Sequence, residues 1–258
     1  MKYSVLIGII TAVAVLVLSI ATSVPLKTIF ENWHAVLVVF GSTFAVALVC
    51  FPIKSLWDML IVFFNRILFG SEARLESVIV EIVKISQLIK SNPAALNQAS
   101  SQAQNPFLKE GLDLISQGGF DEQELELILR KRASTFMIRY DQQAQYFKTL
   151  SKFPPAFGLI GTTLGMMGLM QSIGSPDSFK LIGPAMATGL GATLLGITLS
   201  NFILIPLAEN LTKLNREDEV LRDVVIDGLK MLIKKQHPLM IEEYLRSYQL
   251  PTERRKSA

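Results

Sequence analysis

Four stretches of this chain carry no charged side chain, and each is long enough to cross a membrane as a helix. They run from Val5 to Ser23, from Ala35 to Pro52, from Phe153 to Gly174 and from Leu181 to Ala208. A spanning α-helix needs about 20 mainly apolar residues, within a range of roughly 17–25. The pattern therefore predicts four membrane-spanning helices, arranged as two pairs that are separated by a polar region.

The first stretch has a second interpretation, as a cleaved signal peptide. Lys2 would supply its basic region, and Ser19-Ile20-Ala21 resembles a cleavage site. Cleavage would leave three spans and place one chain end outside, against the distribution of charge described below.

The polar region between the two pairs has helical periodicity. Just after Pro52, an amphipathic segment that contains Trp57 and Ile61 predicts either a helix lying in the membrane interface or one buried between neighbours. Further along, apolar residues recur at helical spacing, namely Leu75, Val78, Ile79, Ile82, Ile85 and Ile89. No strand-like alternation of useful length is present, so we predict an all-α polytopic membrane protein with a helical cytoplasmic domain.

Several short motifs mark where helices begin and end. Asn105 can cap a helix that has Pro106 at its first position, and Gly118-Gly119 is expected to end that helix. Asp121 and Glu124 resemble a capping box, which predicts that a long helix starts there and runs towards the third span.

The C-terminal region is expected to hold a helix from about Leu211 to Lys235, a shorter helix after His237-Pro238, and a disordered end from Pro251. We therefore divide the chain into four parts. These are a first helix pair (1–52), a cytoplasmic helical domain with an interfacial helix (53–153), a second helix pair (154–208), and C-terminal cytoplasmic helices with a tail (209–258).

The distribution of charge gives the orientation in the membrane. Hydrophobic residues make up 50% of the chain and charged residues 18%, against about 25% charged in soluble domains. The short loops within the pairs hold only Lys27 and Lys180 as basic residues, so the positive-inside rule places both termini and the central region in the cytoplasm. The net charge is only +3, which indicates a solvated helical surface and no nucleic-acid patch.

The predicted spans contain hydroxyl groups but no Asp, Glu, Lys or Arg. Ions that cross a membrane through protein are usually bound by Asp or Glu, so an ion-binding acid would have to come from a partner helix. The polar side chains of the third and fourth spans are Thr162, Thr163, Ser172, Thr188, Thr193, Thr198, Ser200 and Asn201. They can line a hydrated path, or their hydroxyls can simply bond to carbonyls one turn earlier in their own helices. Of these, Thr162, Thr163 and Thr193 are the candidates for the ion path.

The sequence shows no phosphate-binding loop, no metal-ligand cluster and no nucleophile–base set, so it does not predict a soluble enzyme. No cofactor is expected beyond a transported ion. The single cysteine, Cys50, allows neither an internal disulfide nor a cysteine metal site.

Small residues form stripes on the third and fourth spans. The members of these stripes are Gly158, Gly161, Gly165, Gly168, Gly189, Ala192 and Gly196. Small residues let helix backbones approach closely in lipid, so the stripes predict packing within the chain or a groove for a partner helix. Pro155 and Pro206 bracket the pair, either as fixed kinks or as hinges that carry movement to the cytoplasm.

Three segments resemble the MotA/PomA stator subunits of bacterial flagellar motors, within the wider MotA/TolQ/ExbB group. They are HAVLVVFGSTFAVALVCFP (His34 to Pro52), FPPAFGLIGTTLGMMGLM (Phe153 to Met170) and IGPAMATGLGATLLGITLSNFILIPLAENL (Ile182 to Leu211). A weaker similarity covers Asn105 to Gly118 and Asp227 to Tyr248. The order of two spans, a cytoplasmic domain and two spans is similar to MotA, whereas TolQ and ExbB place a single span before that domain.

The resemblance implies a multi-pass inner-membrane subunit of a pentameric ring around a MotB/PomB-like partner. That partner would have a single span, carry the ion-binding Asp and anchor to peptidoglycan. Flow of Na⁺ or H⁺ would rotate the ring against a rotor switch protein. Pro155 and Pro206 match the two functional prolines of the family, and Thr162 and Thr193 match hydroxyls near the ion path of sodium-driven members.

One segment departs from the family pattern. Where the family has a basic residue followed by a Glu that faces the rotor, this chain reads QLIKSNPAALNQAS, with Lys90 as an approximate match and Asn97 in place of the Glu. Other charges are candidates for the same role, or form an ordinary solvated helix face; they are Glu122, Glu124, Arg130, Lys131 and Arg132. The departure leaves open a TolQ/ExbB-like energiser of envelope processes, a motor for non-flagellar motility, or a membrane scaffold without ion flux.

Overall fold

All the regular structure that the computed structural model describes is helical, as the all-α prediction requires. The model describes residues 33–62, 75–91, 96–173 and 178–251, with scattered positions between 7 and 22. The helices are α1 (Trp33–Cys50), α2 (Ile53–Val62), α3 (Leu75–Ser91), α4 (Leu96–Gln102), α5 (Pro106–Gln117), α6 (Glu122–Leu150), α7 (Phe153–Ser172), α8 (Ser178–Thr198), α9 (Ile205–Ile233) and α10 (Pro238–Arg246).

Two π-helical turns interrupt this regular pattern. The first π-turn (Leu37–Gly41) lies inside α1, and the second π-turn (Leu199–Leu204) joins α8 directly to α9. We predicted a fourth span from Leu181 to Ala208 that leaves the membrane at Pro206, and a separate tail helix from about Leu211. The helix instead continues through Pro206, because the wider π-turn changes the hydrogen-bond register just before the proline.

Three helical stretches among the described residues are long and apolar enough to cross a membrane. They lie in α1, in the stretch Glu122–Gln171 and in the stretch Ile182–Ile233, and they correspond to the second, third and fourth predicted spans. The first predicted span, Val5 to Ser23, and the turn after it fall outside the continuously described residues.

The chain divides into two compact units. The first comprises Met1–Gly70 and Asp141–Thr212, and the second comprises Ser71–Tyr140 and Lys213–Ala258. Helices α6 and α9 contribute residues to both units.

In the first unit, α7 and α8 pack along each other, and α1 lies beside them. Ala35 and Val39 of α1 are buried against Ala192 of α8. A second apolar cluster joins α2, the last part of α6, the second π-turn and the beginning of α9; its buried members are Met59, Val62, Ala144, Phe147, Leu204, Leu207, Ala208 and Leu211.

Helix α2 has one buried and one exposed apolar face. Met59 and Val62 are buried, whereas Ile53, Trp57 and Ile61 are exposed at successive turns. The prediction of a helix buried between neighbours therefore holds for the face of α2 that carries Met59 and Val62. The exposed face remains available for the lipid interface that we predicted.

The second unit is a helical bundle around one aliphatic core. Its fully buried large side chains come from α3, α5, α6, α9 and α10, and they are Ile82, Leu108, Leu112, Leu125, Leu129, Ile226, Leu229, Ile241 and Leu245. Within the predicted α3 stripe, Val78, Ile79 and Ile85 are also buried, and Leu75 and Ile89 pack at its edge.

The predicted helix ends in the second unit are confirmed. The Asn105 side chain accepts hydrogen bonds from the backbone N–H groups of Phe107 and Leu108, at 2.9 and 3.0 Å. After α5, Gly118 and Gly119 adopt positive φ angles of 70° and 89°. Asp121 and Glu124 form the reciprocal capping box, with N···O distances of 2.7 and 3.1 Å.

Candidate functional site

The small-residue stripes bring the backbones of α7 and α8 into direct contact. A Cβ atom on Gly158 would lie 2.9 Å from the Thr193 Cα, and one on Gly165 would lie 2.8 Å from the Ala185 carbonyl oxygen. The neighbouring atoms belong to the backbone, so they cannot give way as a flexible side chain would.

Six of the seven small residues take part in contacts within the chain. Gly161 faces Ala192, Gly189 faces the Thr162 backbone, and Gly196 faces the Pro154 carbonyl. Gly168 has nothing within 4 Å of its potential Cβ. The geometry therefore favours packing within the chain for the other six small residues. Contact with a partner helix remains a prediction, and Gly168 is the small residue best placed to make it.

Thr162 and Thr193 meet between α7 and α8. Their hydroxyl groups are hydrogen-bonded to each other. The Thr162 hydroxyl also lies 3.0 Å from the Gly189 carbonyl oxygen, and the Thr193 hydroxyl lies 3.1 Å from the Gly158 carbonyl oxygen. The result is a compact group of two hydroxyl and two carbonyl oxygens between the two helices.

The third predicted hydroxyl lies apart from this pair. Thr163 is exposed, and its hydroxyl donates to the Ile160 carbonyl of its own helix at 2.7 Å. Its place on the outer face of α7 separates it from Thr162 and Thr193 within one subunit.

The two proline-containing segments differ in structure. Pro154 and Pro155 occupy the first turn of α7, directly after a short turn at Ser151 and Lys152. Pro206 is the second residue of α9 and follows the second π-turn. Pro154 and Pro155 are tolerated in the first turn of α7, where a missing N–H has no partner within that helix, whereas Pro206 lies in a helix that continues from α8.

A buried hydroxyl that sequence reasoning missed connects these two segments. The Ser200 hydroxyl, in the second π-turn, donates to the Ser151 carbonyl oxygen at 2.6 Å, and both residues are buried. Ser200 had been noted only as one polar residue of the fourth span, because a sequence pattern does not show a contact between segments so far apart in the chain.

Most of the predicted rotor-facing charges are engaged within the second unit. Lys234 pairs with Glu122 at 2.9 Å, Glu110 pairs with Arg132, and Glu124 belongs to the capping box. Arg130 bonds to Glu126 at 2.7 Å.

Lys90 and Lys131 differ from these residues. Both are exposed, and neither forms an ion pair with another residue that the structure describes. Among the residues that the structure describes, Lys90 and Lys131 are therefore the members of the predicted set whose side chains form no ion pair or capping bond.

Glu126 is the centre of the main charge cluster in the second unit. It accepts from Lys230 at 2.6 Å and from Arg130 at 2.7 Å. The hydrogen bonds from Lys230 and then Arg130 lower the pKa of the Glu126 carboxyl, and the hydrogen bond to Glu126 raises the pKa of Lys230.

Asp227 organises a second polar group on α9. It accepts hydrogen bonds from the hydroxyls of Tyr248 at 2.8 Å and Tyr244 at 3.2 Å. Burial and this hydrogen bond raise the pKa of Tyr248, and the Asp227 charge raises the pKa of Tyr244. These bonds attach the C-terminal helical region to α9.

Arg222 lies against two aromatic rings of α6. Its guanidinium carbon is 5.2 Å from the ring centroids of both Phe136 and Tyr140. Cation–π attraction of this kind holds α6 and α9 together within the second unit. No group of three or more potential metal-binding side chains occurs among the described residues.

Comparisons with known proteins agree with this arrangement. The family model described as the MotA/TolQ/ExbB proton channel family matches residues 99–224. The chain is 29% identical to the chemotaxis protein PomA of Vibrio alginolyticus, covering 85% of this chain and 84% of PomA. It is 26% identical to motility protein A of Bacillus subtilis, covering 98% and 93% of the two chains.

Two solved structures share the whole fold. The flagellar MotAB stator complex of Bacillus subtilis contains a chain that matches with a TM-score of 0.87 and 25% identity, over 98% of each chain. A chain of the C. jejuni MotAB structure matches with a TM-score of 0.86 at 18% identity, which supports the fold alone. Together with the helix order and the contact between α7 and α8, these matches show that the chain is similar in sequence and in fold to members of the MotA/TolQ/ExbB proton channel family.

Proposed function

We propose that this chain is a stator subunit of the bacterial flagellar motor, in which ion flow across the inner membrane is coupled to torque on the rotor. The observation that carries the proposal is the match over 98% of the chain to a chain of the flagellar MotAB stator complex, at a TM-score of 0.87. The protein is an ion-channel component and not an enzyme. The relatives that cover most of its length are named PomA and motility protein A, which favours flagellar rotation over a TolQ-like role.

The subunit works in a complex with a MotB-like partner and with further copies of itself. The solved structure with a matching chain at 25% identity is of the flagellar MotAB stator complex of Bacillus subtilis, which supports a partner of this type. The predicted spans of the chain contain no acidic or basic side chain, so the ion-binding carboxylate comes from the partner's single span. In this proposal five copies of the chain form a ring, and the partner is anchored to peptidoglycan.

The ion path passes the oxygen group formed by Thr162 and Thr193. These two hydroxyls, with the carbonyls of Gly158 and Gly189, give the α7–α8 contact a polar patch in an otherwise apolar region. Oxygen ligands at this position favour Na⁺ over H⁺ as the transported ion. Thr163, on the outer face of α7, would reach the path only at a contact with a neighbouring subunit or the partner.

The membrane arrangement consists of four spans with both termini in the cytoplasm. The first pair (1–52) and the second pair (154–208) cross the membrane, and the regions 53–153 and 209–258 lie in the cytoplasm. The three apolar helices of the described residues and the basic character of the intervening regions support this arrangement. Lys90 and Lys131 are the charges best placed to meet a rotor switch protein, because the other candidates are engaged within the chain.

Complementation of a deletion strain tests the function and the ion together. Cells lacking this gene are expected to assemble flagella but not to swim, and the wild-type gene should restore swimming that depends on external sodium. In Thr162→Val the hydroxyl is lost at nearly constant shape, so the sodium dependence should weaken or disappear. Thr162→Ser keeps the hydroxyl and should retain sodium dependence.

Protein level and partner co-purification must be measured for both variants, because Thr162 also joins α7 to α8. Normal swimming of the deletion strain in the absence of a second stator gene set would overturn the flagellar role. Unchanged sodium dependence of a stably expressed Thr162→Val protein would overturn the assignment of the ion path.

A further inference from the structure

The start of α7 leaves a buried carbonyl without its normal helical donor. In a continuous helix, the Ser151 carbonyl would accept from the N–H of the residue four positions later, but that residue is Pro155. Ser151 is only 4% exposed, so water cannot easily take the place of the missing donor. A buried carbonyl without a partner destabilises the folded state.

Ser200 supplies that donor from a different segment of the chain. Its hydroxyl donates to the Ser151 carbonyl oxygen at 2.6 Å, and Ser200 itself is only 3% exposed. The hydrogen bond therefore replaces, through a side chain of the fourth span, the backbone bond that Pro155 cannot make.

The position of Ser200 in the second π-turn relates it to the other proline. The Ile205 N–H donates to the Ser200 carbonyl, five residues earlier, and Pro206 follows directly. Ser200 thus uses its carbonyl in the π-type bond that precedes Pro206 and its hydroxyl in the bond that compensates for Pro155.

Gly196 brings the two segments close enough for this hydrogen bond. It lies one turn before Ser200, and its Cα faces the Pro154 carbonyl so closely that a Cβ atom would overlap the carbonyl group. A Cβ at this position would also lie 3.3 Å from the Pro155 Cα. Gly196 and Ser200 are four residues apart and face the same proline-containing turn. Gly196 allows the close approach, and Ser200 supplies the hydrogen-bond donor.

We propose that Ser200 is a positioning residue that couples the two proline segments, so that a movement at Pro155 is transmitted to the π-turn before Pro206. This inference rests on the proposed stator function and on the interpretation of both prolines as hinges. The Ser200–Ser151 bond fixes the geometry between the hinges, so that α7 and α8 move together when an ion passes. Without the bond, each hinge bends on its own and less of the movement is delivered as torque.

Measurement of torque per motor unit in Ser200→Ala tests this coupling. The variant should reach the membrane, co-purify with its partner and join motors in wild-type numbers, as counted with a fluorescent tag. The torque per unit at high load should fall severalfold, and Ser200→Thr, which keeps the donor, should recover most of it. A role limited to stability would lower the number of units and leave the torque of each unit unchanged.

Asn201→Ala is the matched control. Asn201 lies next to Ser200 in the same π-turn, but it is exposed and its side-chain amide donates to the Ile197 carbonyl of its own helix at 3.0 Å. This variant removes a side-chain hydrogen bond without touching the proline-containing turn, so its torque per unit should match the wild type. A Ser200→Ala protein with wild-type torque per unit would overturn the coupling.

Hydrogen exchange on the purified complex of the full chain with its partner gives a second, function-independent test. Ser200→Ala should speed amide exchange of the segment 151–158 by roughly fivefold, because a buried carbonyl loses its partner. In a Pro155→Ala background, residue 155 regains an N–H that can bond to Ser151, so the same substitution should then change exchange less than twofold. Equal effects in the two backgrounds would overturn the inference.

The two tests separate this inference from the proposed function. If the chain were not a flagellar stator, its deletion would leave flagellar rotation unchanged while the exchange coupling between Ser200 and Pro155 persisted. If only the inference failed, the deletion would stop rotation and the exchange coupling would be absent.

Discussion

Glu126 shows how single charges are used in the cytoplasmic bundle. It lies on α6 and accepts hydrogen bonds from Lys230 of α9 and from Arg130 one turn further along α6. These bonds favour the ionised carboxylate and hold the pKa of Glu126 below its ordinary value. A charge fixed in this way stabilises the fold and is not available to bind a rotor protein.

The pH dependence of stability tests this role of Glu126. Because the pKa is lower in the folded than in the unfolded state, the stabilisation is fully present above the unfolded value of about 4.3 and is lost as pH falls through the folded value. Glu126→Gln should lower the melting temperature of the detergent-solubilised protein at pH 7, by an amount equivalent to roughly 1 kcal/mol or less. The difference from the wild type should shrink as the pH falls below about 4.

Glu219→Gln serves as the control for this experiment. Glu219 lies on the same helix as Lys230 but forms no ion pair with any residue that the structure describes. Its substitution should leave the melting temperature close to that of the wild type at every pH. A Glu126→Gln difference that stayed constant from pH 7 to pH 3 would show that the ion pairs contribute nothing.

At the level of helices, the contact between α7 and α8 is decided by backbone rather than by side chains. Gly158 and Gly165 of α7 meet backbone atoms of α8 at distances that leave no room for a Cβ atom. Such contacts gain dispersion energy and let the hydroxyls of Thr162 and Thr193 reach carbonyls on the facing helix.

Alanine substitution of the glycines separates contacts inside the chain from contacts with a partner. Gly158→Ala should force α7 away from α8 and break the bond from the Thr193 hydroxyl, so the melting temperature should fall by an amount equivalent to about 1–3 kcal/mol. Gly168→Ala meets no atom within 4 Å and should leave the stability of the isolated chain unchanged or slightly higher. Both are measured as the thermal stability of the solubilised protein.

The Gly168→Ala variant also has a diagnostic outcome in the complex. If Gly168 faces the partner's helix, this substitution should reduce co-purification with the partner although the chain itself remains stable. A Gly158→Ala protein as stable as the wild type would contradict the close contact between α7 and α8.

Local signals in the sequence were sufficient to predict much of the helical pattern. The Asn105 cap, the Gly118-Gly119 stop and the capping box of Asp121 and Glu124 each depend on residues within a few positions of one another. Their geometry is therefore encoded in short segments. The two π-turns were not predicted. Val39 in the first packs against Ala192, and Ser200 in the second bonds to Ser151, and local sequence does not show such contacts between distant segments.

The candidate site was predictable only in part. Thr162 and Thr193 could be singled out through the resemblance to sodium-driven stator subunits, but their mutual hydrogen bond depends on the register between α7 and α8. The bond from Ser200 to Ser151 and the stacking of Arg222 on Phe136 and Tyr140 had no signal in the sequence, because each joins side chains from segments far apart in the chain.

For the whole molecule, the distribution of charge predicts the orientation in the membrane. Basic residues are frequent in the central region and in the tail, whereas the loops within the two helix pairs hold only Lys27 and Lys180. Basic segments close to spans are retained on the cytoplasmic side, so the two loops should face outwards.

Labelling of single cysteines in spheroplasts with a membrane-impermeant maleimide tests this orientation and the number of spans. In a Cys50→Ser background, cysteine in place of Lys27 or Lys180 should be labelled at once, whereas cysteine in place of Gln117 or Lys131 should be labelled only after permeabilisation. Labelling of both outer positions requires that the second and third spans cross the membrane on either side of a cytoplasmic central region. A cysteine at position 27 that stayed unlabelled while position 180 reacted would show that the second span does not cross. The first span is tested by Ser4→Cys, which with four spans lies in the cytoplasm and should be labelled only after permeabilisation. Labelling of this position at once, or its absence from the mature chain, would leave three spans and one terminus outside.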